Sequence, residues 1–179
     1  MQLGVRTSVV VVSAPDHPVD FHQLIDSSIN KPARYMGHEL GVEPRDWPAA
    51  QVRWALTYPE IYEVGSSNLG HIILYSILNA VPGQLCDRAY LPAADLAARL
   101  RELQQALFGV ESRRPLPAFD ILGFSLSYDL GATNILEMLD LCRVPLRASD
   151  RGDLPLNDPA APPLIFAGGP TATSNPEPY

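Results

Sequence analysis

An α/β fold built on an open, mostly parallel sheet with flanking helices is predicted by three features of the sequence. Short apolar runs rich in strand formers stand at 52–58, 119–125 and 163–167. Stretches with apolar residues at i, i+3 and i+4 lie between them. Each run passes directly into a turn of Pro, Gly, Ser or Asn, as strands do when a helix follows.

Taken in order, the first fifty residues carry Pro15, Pro18, Pro32, Pro44 and Pro48 and lack sustained periodicity, so 1–50 reads as an irregular arm and 51–179 as the α/β domain. His17 and His22 stand beside Asp16 and Asp20 in that arm, a proline-broken segment that reads as solvated loop rather than metal site. The strand Val52–Tyr58 runs into Pro59. After the turn 60–67, Leu69, Ile72, Ile73, Ser76, Ile77 and Ala80 fall on one helix face, expected to pack on the sheet, with His71 towards the polar, solvent side. Pro82-Gly83 stops this helix, and Leu85–Tyr90 makes a second strand. Ala94–Leu107 forms the next helix, with Leu96, Leu100, Leu103 and Leu107 as its stripe and Gly109 behind its end. Phe119–Ser125 is the best buried-strand candidate, and a helix over 133–142 places Ile135, Leu136 and Leu139 together. A proline-rich connector then leads to the strand Pro163–Ala167 and the Gly168-Gly169-Pro170 turn. Four strands alternating with three helices make a Rossmann-like, flavodoxin-like sheet with right-handed crossovers. Doubly wound sheets usually run to five strands or more, so the fold is expected to be truncated at its C-terminus, as part of a longer protein.

Composition narrows the function classes. The 179 residues carry 13 Lys+Arg against 20 Asp+Glu, a net charge of −7 that offers no basic face for nucleic acid. Val9–Val12 falls far short of the roughly 20 apolar residues of a membrane span, so the expected location is cytoplasmic, with no membrane partner. Cys86 and Cys142 belong to no C-x-x-C pair and read as buried small hydrophobes.

Ligands of open parallel sheets bind outside the carboxyl ends of the strands, where strand order reverses. The turns to search are therefore 59–68, 125–129 and 168–173, which combine hydroxyls or glycines with an apolar strand behind them. Gly65, Gly168 and Gly169 remove side chains where a flat ligand or backbone comes close, and Ser125 and Ser127 offer hydrogen bonds to a ligand edge. Ser66, Ser67 and Asn68 stand where helix caps sit, and Glu60 and Glu63 where carboxylates complement a helix dipole. Gly123-Phe124-Ser125-Leu126-Ser127 lacks the second glycine of a nucleophile elbow, which weakens a hydrolase reading with His71 and Asp129. Asp120 begins its strand rather than ending it, which argues against a phosphate-receiver domain. A flavodoxin-like FMN carrier is disfavoured by the carboxylates in Pro59-Glu60-Ile61-Tyr62-Glu63, which would repel a phosphate.

Lys31-Pro32-Ala33-Arg34-Tyr35, the run Tyr58–Gly70, Glu111-Ser112-Arg113-Arg114-Pro115-Leu116, the run Phe119–Asn134 and the stretch from Ala167-Gly168-Gly169-Pro170 to Asn175-Pro176-Glu177-Pro178 carry a resemblance. Together they resemble the N-terminal region of a radical S-adenosylmethionine (SAM) protein family in which a cobalamin-binding-like domain precedes the radical barrel. The resemblance implies a cobalamin-binding-type sheet, with the D-x-H-x-x-G, S-x-L and Gly-Gly elements of base-off cobalamin domains falling on Glu60-x-Tyr62-x-x-Gly65, Ser125-Leu126-Ser127 and Gly168-Gly169. Tyr62 replaces the histidine that would ligate cobalt, and a phenol with a pKa of about 10 is a poor substitute for imidazole. Glu60 stands for the aspartate and Ser127 for the leucine. Two expectations follow from the resemblance: cobalamin held without a histidine ligand through Glu60, Tyr62, Gly65, Ser125, Ser127, Gly168 and Gly169, or a domain that has lost the cofactor and serves for docking or substrate positioning. The [4Fe–4S] cluster and S-adenosylmethionine belong to a C-terminal radical SAM domain, since two cysteines cannot supply C-x-x-x-C-x-x-C; this chain alone is expected to be inactive.

Overall fold

The structure, a computed structural model, describes residues 17–37, 39, 42, 45–152, 154–155, 158 and 161–177. Part of the arm, Val9–Val12 and Asp16 among it, lies outside the described residues. Strands β1 (Val52–Tyr58), β2 (Gln84–Tyr90), β3 (Ile121–Ser125) and β4 (Leu164–Gly168) form one sheet in the order β2-β1-β3-β4, every neighbouring pair parallel. Six α-helices accompany them among the described residues: α1 (Phe21–Leu24), α2 (Tyr62–Gly65), α3 (Leu69–Ala80), α4 (Ala94–Glu102), α5 (Gly131–Leu141) and α6 (Pro170–Ser174). This is the Rossmann-like, all-parallel sheet that the alternating runs predict. Strand order reverses between β1 and β3, the switch point of a flavodoxin-like topology.

Residue alternation gives the sheet two faces. On the back face Ala55, Leu85, Ala89, Leu122 and Phe124 pack with Leu96 and Leu100 of α4 and with Ile135, Met138 and Leu139 of α5. The described part of the arm joins this core through Leu24, Ile29, Tyr35 and Trp47. It is tied down by polar contacts too: the Asn30 amide donates to Asp95 Oδ2 at 2.7 Å, and the Ala93 amide to Tyr35 Oη at 3.1 Å. Arg53 and Arg114 each lie 4.9 Å from the Trp47 ring.

On the front face, Trp54, Leu56 and Tyr58 of β1 stand beside Cys86, Arg88 and Tyr90 of β2 in register. Among the described residues α3 is the long helix on this side, lying over β2 and β1. Its orientation is the reverse of the sequence expectation. The inward residues are His71, Tyr75 and Asn79, while Leu69, Ile72, Ile73, Leu74 and Ile77 are exposed. Polar partners below the helix explain this. Asn79 donates from Nδ2 to the Cys86 carbonyl at 2.9 Å and accepts the Cys86 amide at 2.9 Å, so one side chain closes the outer edge of β2. Farther along that edge the Val110 amide donates to the Arg88 carbonyl at 2.9 Å.

The helix after β2 ends at Glu102, earlier than its leucine stripe suggests. Gln104 takes the left-handed conformation, φ 55°, and Gly109 does not cap the helix. Gly109 serves the buried Asp87 carboxylate instead: a Cβ there would lie 2.2 Å from Asp87 Oδ2. That carboxylate accepts the amides of Arg88, Glu111 and Ser112 and the Ser112 hydroxyl. The loop that begins Glu111-Ser112 is thereby clamped onto β2.

Candidate functional site at the carboxyl rim of the sheet

All four strands run the same way, so the turns after β1, β3 and β4 emerge at one rim. Ser125 and Gly168 are register partners there, and the Leu126 amide donates to the Gly168 carbonyl at 2.8 Å. A Cβ on Gly168 would meet nothing within 4 Å, so the end of β4 borders open space. Gly169 is required for a different reason: it has φ 125°, and a Cβ would sit 2.2 Å from the Leu126 carbonyl oxygen. Tyr58 Oη donates to Ser127 Oγ at 3.1 Å and accepts from Asn68 Nδ2 at 3.2 Å, which ties the β1 end to the β3 turn.

Glu60 borders the switch point. Asn134 Nδ2 donates to its Oε1 at 3.2 Å and to the Pro59 carbonyl at 2.8 Å. Tyr62 faces elsewhere. Its hydroxyl donates to Glu39, its ring stands edge-on to Tyr90 at 5.2 Å, and burial with that carboxylate pushes its pKa up to about 12. Gly65 is buried, and a Cβ on it would lie 2.5 Å from the Tyr90 ring. Of the seven predicted residues, then, Ser125, Ser127, Gly168 and Gly169 gather at the ends of β3 and β4. Glu60 borders them across the switch point, and Tyr62 and Gly65 pack against Tyr90.

Glu63 is engaged as well: Arg34 at 2.8 Å and Lys31 at 3.3 Å hold its exposed carboxyl down to about 2. Asn68 does cap α3, its Oδ1 accepting the His71 amide at 3.0 Å. The Asp20 side chain accepts the Gln23 amide as the cap of α1, and His17 and His22 are exposed. Among the described residues no group of three or more His, Cys, Asp or Glu is placed to hold a metal ion.

A buried polar cluster beneath α3 escaped the sequence reading. His71, expected at the surface, is 1% exposed; its Nδ1 lies 3.4 Å from Ser125 Oγ and its ring meets those of Tyr58 and Tyr90. Burial, then the Arg88 charge, pushes its pKa down to about 4, so it stands neutral. His71 Nε2 and Tyr90 Oη are buried without a partner among the described residues. Arg88 donates from Nε to Glu111 Oε1 at 2.9 Å, has Nη2 2.9 Å from Glu39 Oε2, and lies 4.7 Å from the Tyr75 ring. Tyr75 Oη donates to Glu111 Oε2 at 2.8 Å. Burial and the nearby Asp87 push the Glu111 carboxyl up to about 7 against the pull of Arg88 and Tyr75. One signal could have found this cluster: two adjacent charges, Asp87 and Arg88, inside the predicted strand Leu85–Tyr90.

A cavity of about 290 Å³ lies at the opposite rim, bordered by Arg45, Asp46, Gly83 and Gln84, away from the carboxyl ends of the strands. No helix among the described residues is long and apolar enough to cross a membrane. No curated protein and no solved structure matches the chain. The family described as radical SAM proteins, N-terminal, does match, over residues 70–179, a span that begins in α3, includes β2, β3 and β4 and takes in more than half of the chain. The chain therefore belongs to the N-terminal family of radical SAM proteins.

Proposed function

We propose that this domain works joined to a C-terminal radical SAM domain and uses the rim formed by Ser125, Ser127, Gly168 and Gly169 to hold an elongated ligand for that domain, the nucleotide tail of cobalamin being the best candidate. The observation that carries the reading is the open space above Gly168, beside the Ser125 hydroxyl, at the carboxyl ends of parallel strands. Cobalamin, when bound, would supply a carrier for methyl transfer. Ser125 and Ser127 would hydrogen-bond the tail, and the side-chain-free Gly168 would let it approach the sheet. Tyr62 does not fit the place of a cobalt ligand, because its neutral hydroxyl is committed to Glu39. Any cobalamin here would therefore be held without Tyr62 as a ligand. The cluster chemistry needs three thiolates, and Cys86 and Cys142, both buried and free, do not provide them.

A second reading, a docking domain without cofactor, is favoured by that same commitment of Tyr62 and by the exposed apolar side of α3. Titration with hydroxocobalamin followed by visible absorbance and gel filtration separates the two. The first reading expects a spectral change, retention of the corrinoid on the protein, and loss of both in Gly168→Trp, which fills the open space. An unchanged spectrum leaves the docking reading; equal retention by Gly168→Trp removes the rim as the site.

A further inference from the structure

Among the described residues the front face of the sheet is only partly covered, and its chemistry says what finishes it. We propose that a strand–helix segment of the radical SAM protein completes this face, its strand lying along the outer edge of β4 and its helix filling the trough between α3 and Phe166. The inference rests on the reading that this domain works joined to a radical SAM domain, and it does not require cobalamin.

The edge is available. The Leu164 amide donates to the Asp120 carbonyl and the Gly168 carbonyl accepts from Leu126, so residues 164, 166 and 168 face β3. Alternation turns the N–H and C=O of Ile165 and Ala167 outward, where no described strand pairs with them. The trough is apolar. Trp54 and Phe166 meet edge-on at 5.7 Å, and Gly123 lies beneath the Phe166 ring. Asn79 marks the flank of α3 that faces the outer edge of β2, so the opposite flank, with Leu74, Leu78 and Val81, looks over the middle of the sheet. Leu74 is 46% exposed and Phe166 44%.

Charge matching selects the occupant. The stretches 69–82 and 163–170 contain no charged residue, so a helix presenting charges here would lose their hydration without a partner. An apolar, uncharged stripe matches. An anionic bilayer is a poor match for a surface lacking Lys and Arg on a chain of net charge −7.

Amide hydrogen exchange on the intact radical SAM protein tests this. The Ile165 and Ala167 amides should exchange at least ~100-fold more slowly than an open edge allows. Phe166→Lys and Leu74→Lys should each abolish that protection while α5 stays protected, and Ile72→Lys, on the other flank of α3, should leave it unchanged. Free exchange at 165 and 167 in the intact protein overturns the proposal, as does protection that Phe166→Lys and Leu74→Lys both leave intact. Protection that disappears on dilution assigns the face to a second copy, and protection that needs lipid vesicles assigns it to a membrane; either result also overturns it. A negative cobalamin titration leaves this outcome untouched.

Discussion

The two faces of one sheet live in different environments although they are built from the same four strands. Behind, Leu122 and its neighbours are sealed by α4, α5 and the arm; in front, β4 alternates between half-buried and exposed residues, with Leu164 and Phe166 on the open side. Parallel sheets are ordinarily covered on both sides. The contrast separates the part of the molecule that secures folding from the part that is left for something else to meet.

The sharpest way to break that contrast is to truncate one residue on each side. Leu122→Ala, at a fully buried position, should cost about 3–5 kcal/mol in urea unfolding, whereas Phe166→Ala should cost about 1. Equal losses would mean that the front is as tightly built as the back. The next effect concerns pH. His71 is held neutral, its pKa lowered from 6.5 to about 4, so its contribution is complete above pH 6.5 and is lost as pH falls through 4. At most ~3 kcal/mol is involved. His71→Phe should flatten the fall in urea midpoint across that window, and an unaltered slope would assign the fall to other groups. The smallest effect belongs to the outer side of α3. Ile77→Ser should change the stability of the isolated domain by no more than ~0.5 kcal/mol, and a larger loss would show that Ile77 is already covered.

Much of this was legible in the residues themselves. The strands could be read because their apolar runs are short and each ends at a breaker, Pro59 after β1 and Gly169-Pro170 after β4. Four of the seven rim residues fell where the reading put them because a parallel strand fixes where its own end emerges. Tyr62 and Gly65 could not be placed that way. Their surroundings are set by Tyr90, at the end of a different strand, and by Glu39 in the arm. The helix α3 shows the other limit. Periodicity located it, but its sequence is apolar nearly all round, and the side that turned inward was chosen by the partners waiting there: the Cys86 backbone, Ser125 and Arg88. Cys86 and Cys142, read as buried small hydrophobes because they belong to no C-x-x-C pair, are both buried.

The Asn79 amide has a consequence for assembly. By occupying both backbone groups of Cys86 it acts as a one-residue stand-in for a neighbouring strand, and the Arg88 carbonyl beside it is already taken by Val110. Among the described residues the sheet consequently has one adhesive border and one blunt one. Copies joining border to border in a line would need both to be sticky, so the route to an endless ribbon is closed at β2, while the β4 side stays competent to receive a single guest.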